Sequence, residues 1–141
     1  MAIERHPGIG VIIFCDFNQG FRQPEMIKRR PAVVVCPKIR FRPGLCTVVP
    51  LSTSEPEPIM PYHCKIRIDP PLPEPWDAPE VWVKGDMVNT VGFHRLDLVR
   101  SGRDAFGNRA YRLTAIPKDD LKRIRACVLC SLGLAPLKNH L

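Results

Sequence analysis

Short apolar runs with the composition of β-strands fill most of the first hundred residues, and this pattern limits the fold more than any other feature of the chain. Residues 31–36 are continuously apolar, whereas residues 62–68 alternate between polar and apolar side chains. Runs of this kind predict strands, and strands that follow one another without helical patterns between them favour a small antiparallel barrel. The predicted strands cover residues 9–17, 31–36, 46–51, 62–68, 81–91 and 93–99, and the last two are expected to pair as a hairpin about Gly92.

A single helix is predicted near the end of the chain. Pro117 suits its first turn, and Gly133 suits the residue after its last turn. The carboxylates of Asp119 and Asp120 favour the positive end of a helix dipole. The fold class is therefore mainly β (α+β), with a packed C-terminal helix. The apolar face that is expected to pack on the strands consists of Leu121, Ile124, Val128 and Leu132.

Proline is concentrated in the middle of the chain, where nine of the sixteen prolines lie between Pro50 and Pro79. Proline lacks a backbone N–H and fixes φ, so these stretches are expected to be stiff connections rather than strands. Because hydrophobic strands stand on both sides, we interpret residues 54–79 as a proline-rich insertion in one domain that covers residues 1–141.

The net charge of +7 is concentrated in one part of the sequence. Seven lysines and arginines lie between Phe21 and Arg42 against one acid, Glu25. A basic patch of this kind suits an anionic partner, most often nucleic acid, and the alternative is a solvated surface that aids solubility. No apolar stretch is long enough to span a membrane, and the first residues lack the apolar core of a signal peptide. A cytoplasmic location without membrane contact is therefore expected.

The six cysteines are expected to be reduced thiols, since several lie in apolar runs where a thiol acts as a small hydrophobic side chain. Cys127 and Cys130 have the spacing of metal ligands, but no second pair follows at the matching distance. His63 and Cys64 would complete four ligands only if the fold brought them together. We therefore expect neither a structural metal nor a cofactor.

Three strand ends carry polar side chains that suit phosphate chemistry. Arg30 directly precedes a strand, Ser52 directly follows one, and Lys84-Gly85-Asp86 interrupts a third. The sequence lacks the phosphate-binding loop, the serine-nucleophile elbow and the histidine pair of zinc proteases, and its acids are scattered rather than clustered. A mechanism without a metal ion fits this set of side chains better.

These segments resemble the MazF/PemK-type toxins of toxin–antitoxin systems. Arg30-Pro-Ala-Val-Val-Val35, with Glu25 upstream, is similar to the family signature Glu-Gln-x-Gly-x-Arg-Pro-x-x-Val. The chain departs from that signature at Met26, where the family has glutamine, and at Lys28, where it has glycine. Three further segments resemble family segments in the same order: residues 8–17, Val48-Val-Pro-Leu-Ser-Thr53 and Val83-Lys-Gly-Asp-Met-Val-Asn-Thr-Val91.

The resemblance implies an SH3-like barrel, a homodimer and cleavage of single-stranded RNA at short sequences without the ribosome. It also implies a cognate antitoxin protein, whose acidic and flexible tail occupies the RNA groove. The chemistry that it implies uses no metal: the 2′-hydroxyl of RNA attacks the adjacent phosphorus and leaves a 2′,3′-cyclic phosphate. This reaction needs a base near the 2′-hydroxyl, a donor near the leaving oxygen and donors for the charge on phosphorus.

By position, the resemblance makes Arg30 a phosphate clamp and Ser52 a hydrogen-bond donor to a phosphate oxygen. Asp86 is a candidate general base, and Glu25 is the other candidate. Lys84 stands where the PemK branch has a catalytic arginine. The residues expected to bind RNA around this catalytic set are Arg29, Lys28, Thr53, Arg22 and His94.

Other functions fit the same residues less completely. A non-catalytic nucleic-acid-binding module, or a CcdB-like protein that poisons gyrase, would keep the fold and would not need Arg30 or Asp86. An unrelated small-barrel RNA-binding protein is supported by charge alone. The combination of Arg30, Ser52 and Asp86 favours cleavage of RNA.

Overall fold

The computed structural model describes residues 2–141, which form a seven-stranded antiparallel sheet, a separate two-stranded hairpin and one α-helix. The strands of the sheet are β1 (Ile12–Asp16), β2 (Arg29–Val34), β3 (Leu45–Ser52), β4 (His63–Arg67), β5 (Glu80–Lys84), β6 (Asn89–Gly92) and β7 (Leu96–Leu98). The hairpin consists of β8 (Arg100–Arg103) and β9 (Arg109–Tyr111), and the helix is α1 (Lys118–Ser131). Short 3₁₀ turns occupy Gly85–Met87, Phe93–Arg95 and Ala135–His140.

Strand β3 is the centre of the sheet, whose order is β4-β5-β3-β2-β1-β7. Its first half, residues 45–48, pairs with β6, and its end, Leu51 and Ser52, pairs with β5. The expected mainly β, antiparallel class is confirmed. The sheet does not close into a complete barrel, because no strand pairs with the outer side of β4 or of β7 in the part of the chain that the structure describes. At the β7 edge, the backbone N–H of Ile3 donates to the carbonyl of Leu96 at 2.9 Å, so the N-terminal segment occupies that edge instead.

The central strands are buried on both faces of the sheet. Because side chains alternate along a strand, Ile12 and Phe14 enter one core while Ile13 and Cys15 enter the other. The same alternation sends Val33 and its neighbours in β2 to both cores, which explains why residues 31–36 are continuously apolar.

The predicted hairpin about Gly92 is wrong. Strand β5 pairs with β3 and β4, β6 pairs with β3, and β7 pairs with β1. The 3₁₀ turn Gly85–Met87 breaks the predicted strand 81–91 into β5 and β6, and the turn Phe93–Arg95 separates β6 from β7. None of the three strands therefore pairs with another of the three: β6 and β7 pair with β3 and β1, and β5 pairs with β3 and with the preceding strand, β4.

Helix α1 confirms the prediction of one C-terminal helix and buries Ile124 and Cys127 against the sheet. It ends in a Schellman motif at Gly133, which has a φ of +76°. In this motif Leu134 donates its N–H to the carbonyl of Leu129 at 2.8 Å. Leu132 was predicted to pack on the strands, but it is 59% exposed because the helix has ended before it.

All six thiols are free in the structure, and Cys127 and Cys64 form a side-chain hydrogen bond between α1 and β4. This bond lowers the pKa of Cys64 and, together with burial, raises that of Cys127. Within residues 2–141, no group of three or more His, Cys, Asp or Glu side chains is placed to hold a metal ion. No helix in this range is long and apolar enough to cross a membrane.

Candidate functional site

A cleft of about 530 Å³ lies where the ends of β2, β3, β4 and β5 meet. Continuing the register of Ala32 with Pro50 by two residues places Arg30 opposite Ser52, and His63 pairs directly with Lys84. The proline-rich insertion supplies one wall of the cleft through Pro56, Glu57, Pro58 and Met60. The polar side chains that line the cleft are Arg30, Ser52, Glu57, Tyr62, His63, Lys84 and Asp86.

Arg30 is a half-buried cation whose position is fixed by the backbone. Its Nε donates to the carbonyl of Ile27 at 3.0 Å, and burial lowers its pKa. A guanidinium has five N–H donors and keeps its proton in proteins. Arg30 can therefore bind an anion in the cleft while one donor anchors the side chain.

Ser52 ends β3 and is held by a local hydrogen bond. Its Oγ accepts the backbone N–H of Ser54 at 3.1 Å. A hydroxyl that accepts this bond still has its own proton to donate. Thr53, the neighbouring candidate, is exposed and is not part of the cleft wall within residues 2–141.

The segment Lys84-Gly85-Asp86 reaches the cleft because helix α1 packs directly behind it. A Cβ on Gly85 would lie 2.7 Å from Cβ of Cys127 and 2.8 Å from the carbonyl oxygen of Tyr62. In addition, Oγ of Ser131 lies 3.3 Å from the carbonyl oxygen of Gly85, while its shorter hydrogen bond, of 2.7 Å, is donated to the carbonyl of Val128 in the same helix. Only glycine permits this approach, so the helix sets the positions of Lys84 and Asp86.

Lys84 and Asp86 bring opposite charges into the cleft. Burial lowers the pKa of Lys84, with Asp86 acting against the shift and Arg30 adding to it. The side chain of Asp86 is 35% exposed, so the carboxylate is accessible to a ligand from solvent.

His63 is a cleft residue that sequence reasoning considered only as a metal ligand. Its Nδ1 accepts the backbone N–H of Met60 at 3.0 Å, and its Nε2 lies 3.8 Å from Oδ1 of Asp86. The first bond requires Nδ1 to be unprotonated, so the neutral ring carries its proton on Nε2, facing Asp86. Burial and the charge of Lys84 lower the pKa of His63, and Asp86 opposes this shift. The alternating polar and apolar residues 62–68 predict the strand that carries His63. The place of His63 in the cleft follows only from the pairing of β4 with β5.

Glu25 lies on the other side of Asp86, in a shallow recess beside the cleft. Its carboxylate accepts the backbone N–H of Arg22 at 3.4 Å and so closes the loop before β2. Lys28, which stands where the family signature has glycine, has a φ of +72°. The loop therefore keeps the left-handed backbone that glycine favours, although lysine adopts it at a cost.

The remaining predicted RNA-binding residues lie outside this cleft. Arg29 follows the alternation of β2 to the other face, where its guanidinium is 4.2 Å from the centre of the Phe14 ring and 3.8 Å from Asp97. Arg22 is exposed in the loop before β2, and His94 is exposed in the 3₁₀ turn after β6.

These features define a small antiparallel β protein whose cleft combines the cations Arg30 and Lys84 with hydroxyl and carboxylate groups. A family model described as PemK-like, MazF-like toxin of type II toxin-antitoxin system matches residues 9–132. The chain belongs to this family, as its sequence motifs predict. No curated protein sequence matches the chain.

Solved structures show the same fold at low sequence identity. The chain is similar to a mycobacterial endoribonuclease in complex with its cognate antitoxin, at a TM-score of 0.59 and 19% identity, over 92% of this chain and 97% of that one. It is also similar to MazF (Form-I) from Deinococcus radiodurans, at a TM-score of 0.56 and 22% identity, over 92% of this chain and 98% of that one. A MazE-MazF structure (Form-II) from the same organism gives a TM-score of 0.52 and 20% identity, over 91% and 96% of the two chains.

Proposed function

We propose that the protein is a growth-inhibiting toxin that acts as a metal-independent, sequence-specific endoribonuclease on single-stranded RNA. Its family membership supports the toxin function, and the name of one structural neighbour, an endoribonuclease, supports the activity. The observation that carries the proposal is the convergence of Arg30, Ser52, Lys84 and a His63–Asp86 pair in one cleft. Attack of a 2′-hydroxyl on the adjacent phosphodiester needs this combination of donors, charge and base.

In the proposed reaction, Asp86 accepts the proton of the 2′-hydroxyl while the 2′-oxygen forms its bond to phosphorus. Arg30 and Ser52 donate hydrogen bonds to the non-bridging phosphate oxygens, where negative charge accumulates. Lys84 gives a proton to the 5′-oxygen as the bond between phosphorus and that oxygen breaks. Burial makes the ammonium of Lys84 a stronger acid than lysine in water, because it lowers the pKa. The products are a 2′,3′-cyclic phosphate and a 5′-hydroxyl.

His63 is proposed as the positioning residue for this base. Its side chain is only 8% exposed, so a substrate reaches Asp86 rather than the imidazole. The N–H on Nε2 faces Oδ1 of Asp86 and orients the carboxylate, while the Met60 N–H holds the ring. Glu25, the other candidate base, is assigned to the loop because its carboxylate holds the N–H of Arg22 beside the cleft.

The proposal also includes a cognate antitoxin, a homodimer and a cytoplasmic location. Two of the structural neighbours are toxins solved with an antitoxin, a mycobacterial endoribonuclease and MazF with MazE. The cations Arg30 and Lys84 make the cleft suitable for an acidic protein segment that competes with RNA.

The experiment is incubation of the purified protein, free of antitoxin, with a long single-stranded RNA in the presence of EDTA. The wild type should release fragments that end in a 2′,3′-cyclic phosphate. Arg30→Ala should abolish these fragments, whereas Arg42→Ala, a control that removes an exposed arginine outside the cleft, should retain them. Intact RNA with folded wild-type protein would overturn the nuclease proposal and favour a non-catalytic binding module.

A further inference from the structure

The hairpin formed by β8 and β9 is an exposed, basic arm that the proposed reaction does not use. Its two strands pair only with each other within residues 2–141, and all of β8 is exposed. Residues 100–112 contain four arginines and one acid, Asp104. The base of the arm is anchored, because Arg112 donates its backbone N–H to the carbonyl of Val99 at 2.8 Å and its guanidinium to that of Pro70 at 2.6 Å.

Two arginines face each other across this arm. Arg103 and Arg109 are direct partners in the ladder, and neither has a carboxylate within ion-pair distance in the described part of the chain. One N–H of the Arg103 guanidinium donates to the carbonyl of Gly107 at 2.7 Å, which fixes the side chain along the arm and leaves its other N–H groups for an anion. Like charges directly opposite on a hairpin destabilise it, and an isolated two-stranded hairpin is only marginally stable in water. The pair therefore costs stability in the free protein, and an anion bound between the two guanidinium groups would offset that cost.

The turn of the arm holds an aromatic ring in solvent. Phe106 is 89% exposed, although the backbone around it is well ordered by hydrogen bonds. One carboxylate oxygen of Asp104 accepts the N–H groups of Phe106 and Asn108, both at 2.9 Å, and the Gly107 N–H donates to the Asp104 carbonyl. The only acid of the arm therefore shapes the turn. The hydrogen-bonded backbone holds the Phe106 ring in solvent, away from the hydrophobic cores.

We infer that this hairpin is a second binding site for single-stranded RNA, in which Phe106 stacks on a base and the pair Arg103 and Arg109 binds the phosphate backbone. Single-stranded nucleic acid is bound by this combination, since every base offers a face for stacking and every nucleotide a phosphate. An acidic protein would satisfy the arginines but would leave the exposed ring unexplained.

The inference rests on the proposed function and deepens it, because the arm would hold the substrate at a point away from the cleavage site. The cleft includes His63 at the start of β4, whereas the base of the arm lies beyond the other end of that strand, where the guanidinium of Arg112 bonds the carbonyls of Asp69 and Pro70. A short oligonucleotide that fills the cleft would not reach the arm. A long RNA would contact both, and each contact would raise the affinity of the other through effective concentration.

The test measures binding by fluorescence anisotropy over a series of salt concentrations. The probes are an RNA of about twenty nucleotides and one of about five, both fully 2′-O-methylated so that they cannot be cleaved. Arg103→Gln/Arg109→Gln should weaken binding of the long RNA about tenfold and lower the slope of log affinity against log salt by roughly 1.4. Phe106→Ala should weaken it by roughly tenfold with little change in the salt slope.

The matched control is Lys118→Gln/Lys122→Gln, which removes two exposed charges from helix α1. It should retain most of the affinity for the long RNA, and all three variants should bind the short RNA and cleave an unmodified one like the wild type. Equal losses in the control and arm variants would overturn the inference, as would arm variants that bind the long RNA normally. Loss of binding to a polyglutamate peptide, with RNA binding intact, would also overturn it and identify a protein-docking arm. Failure of the wild type to cleave any RNA, with arm-dependent binding intact, would overturn only the nuclease proposal.

Discussion

Two substitutions of His63 separate its two proposed contacts. His63→Gln keeps a side-chain N–H donor at the distance of Nε2, facing Asp86, but removes the acceptor for the Met60 N–H. His63→Asn keeps a side-chain acceptor close to the position of Nδ1, but nothing extends to Asp86. If His63 acts through Asp86, the glutamine variant should be active and less stable, and the asparagine variant should be stable and less active.

The magnitudes follow from the two contacts. The bond from Met60 to Nδ1 is 3.0 Å long and exposed to solvent, so its loss in His63→Gln should cost about 0.5–1 kcal/mol of unfolding free energy. The contact with Asp86 is longer, 3.8 Å, and involves a carboxylate that is 35% exposed. Its loss in His63→Asn should raise the activation barrier by about 1 kcal/mol, which lowers kcat by roughly five- to tenfold.

The assay combines urea denaturation with steady-state cleavage of a short fluorescent RNA across a range of pH. Because burial lowers the pKa of His63 below its ordinary value of 6.5, the ring is neutral in the folded protein at neutral pH. The folded state then binds its proton less readily than the unfolded state, so this stabilising contribution is present above pH 6.5 and is lost as the pH falls. Wild-type kcat should decline over the same range, and neither variant should show that step.

The opposite pattern would refute this reasoning. A glutamine variant that loses kcat, together with an asparagine variant that keeps it, would mean that His63 only supports the Met60 loop. A wild-type pH profile shared by both variants would show that another group titrates in this range.

Three further outcomes are expected. Gly85→Ala should lower the unfolding free energy by about 1–3 kcal/mol and kcat by roughly a hundredfold, because its Cβ would collide with backbone and helix atoms at 2.7–2.9 Å. The control is Gly92→Ala, whose Cβ would meet only the ring of an exposed histidine, and it should retain activity in the same RNA assay. Lys28→Gly should raise the unfolding free energy by about 0.5–1 kcal/mol in urea titrations, since φ is +72° there, and an unchanged or lower value would show that the loop relaxes in solution. Burial raises the pKa of Cys15 and Cys46 to about 12, so both thiols should resist alkylation at about pH 8 until the protein unfolds. Mass spectrometry of the native protein checks this, and early labelling of either thiol would contradict it. The same raised pKa values predict that stability falls as the pH rises above 9.

The sequence predicted strands better than it predicted their partners. Composition and length identified β1 to β4, because a strand buried on one face alternates polar and apolar side chains and a strand buried on both faces is continuously apolar. The hairpin about Gly92 failed because pairing depends on contacts that composition does not encode. Gly85 marks the point at which the predicted strand 81–91 is interrupted. The need for glycine there follows from its contact with Cys127, which lies on a helix near the end of the chain.

The same limit applies to the cleft. Arg30, Ser52, Lys84 and Asp86 could be proposed from sequence because each stands at the end of a strand and matches a segment of the toxin family. His63 could not, because its role follows from the register that places it opposite Lys84. Sequence reasoning also assigned Arg29 to the same site as its neighbour Arg30, although alternation along β2 sends it to the other face.

Three functional side chains of the cleft are each held by a hydrogen bond with a backbone group. Arg30 is tied to the carbonyl of Ile27, Ser52 to the N–H of Ser54 and His63 to the N–H of Met60. Each bond uses one polar atom of the side chain and leaves the rest for a ligand. An arrangement of this kind is in place before substrate arrives, so binding energy is not needed to assemble it. It also keeps cations close together without an ion pair between Arg30 and a protein carboxylate within residues 2–141. A phosphodiester would supply the missing negative charge, and so would the acidic tail of an antitoxin, which explains why one cleft suits both partners in the proposed function.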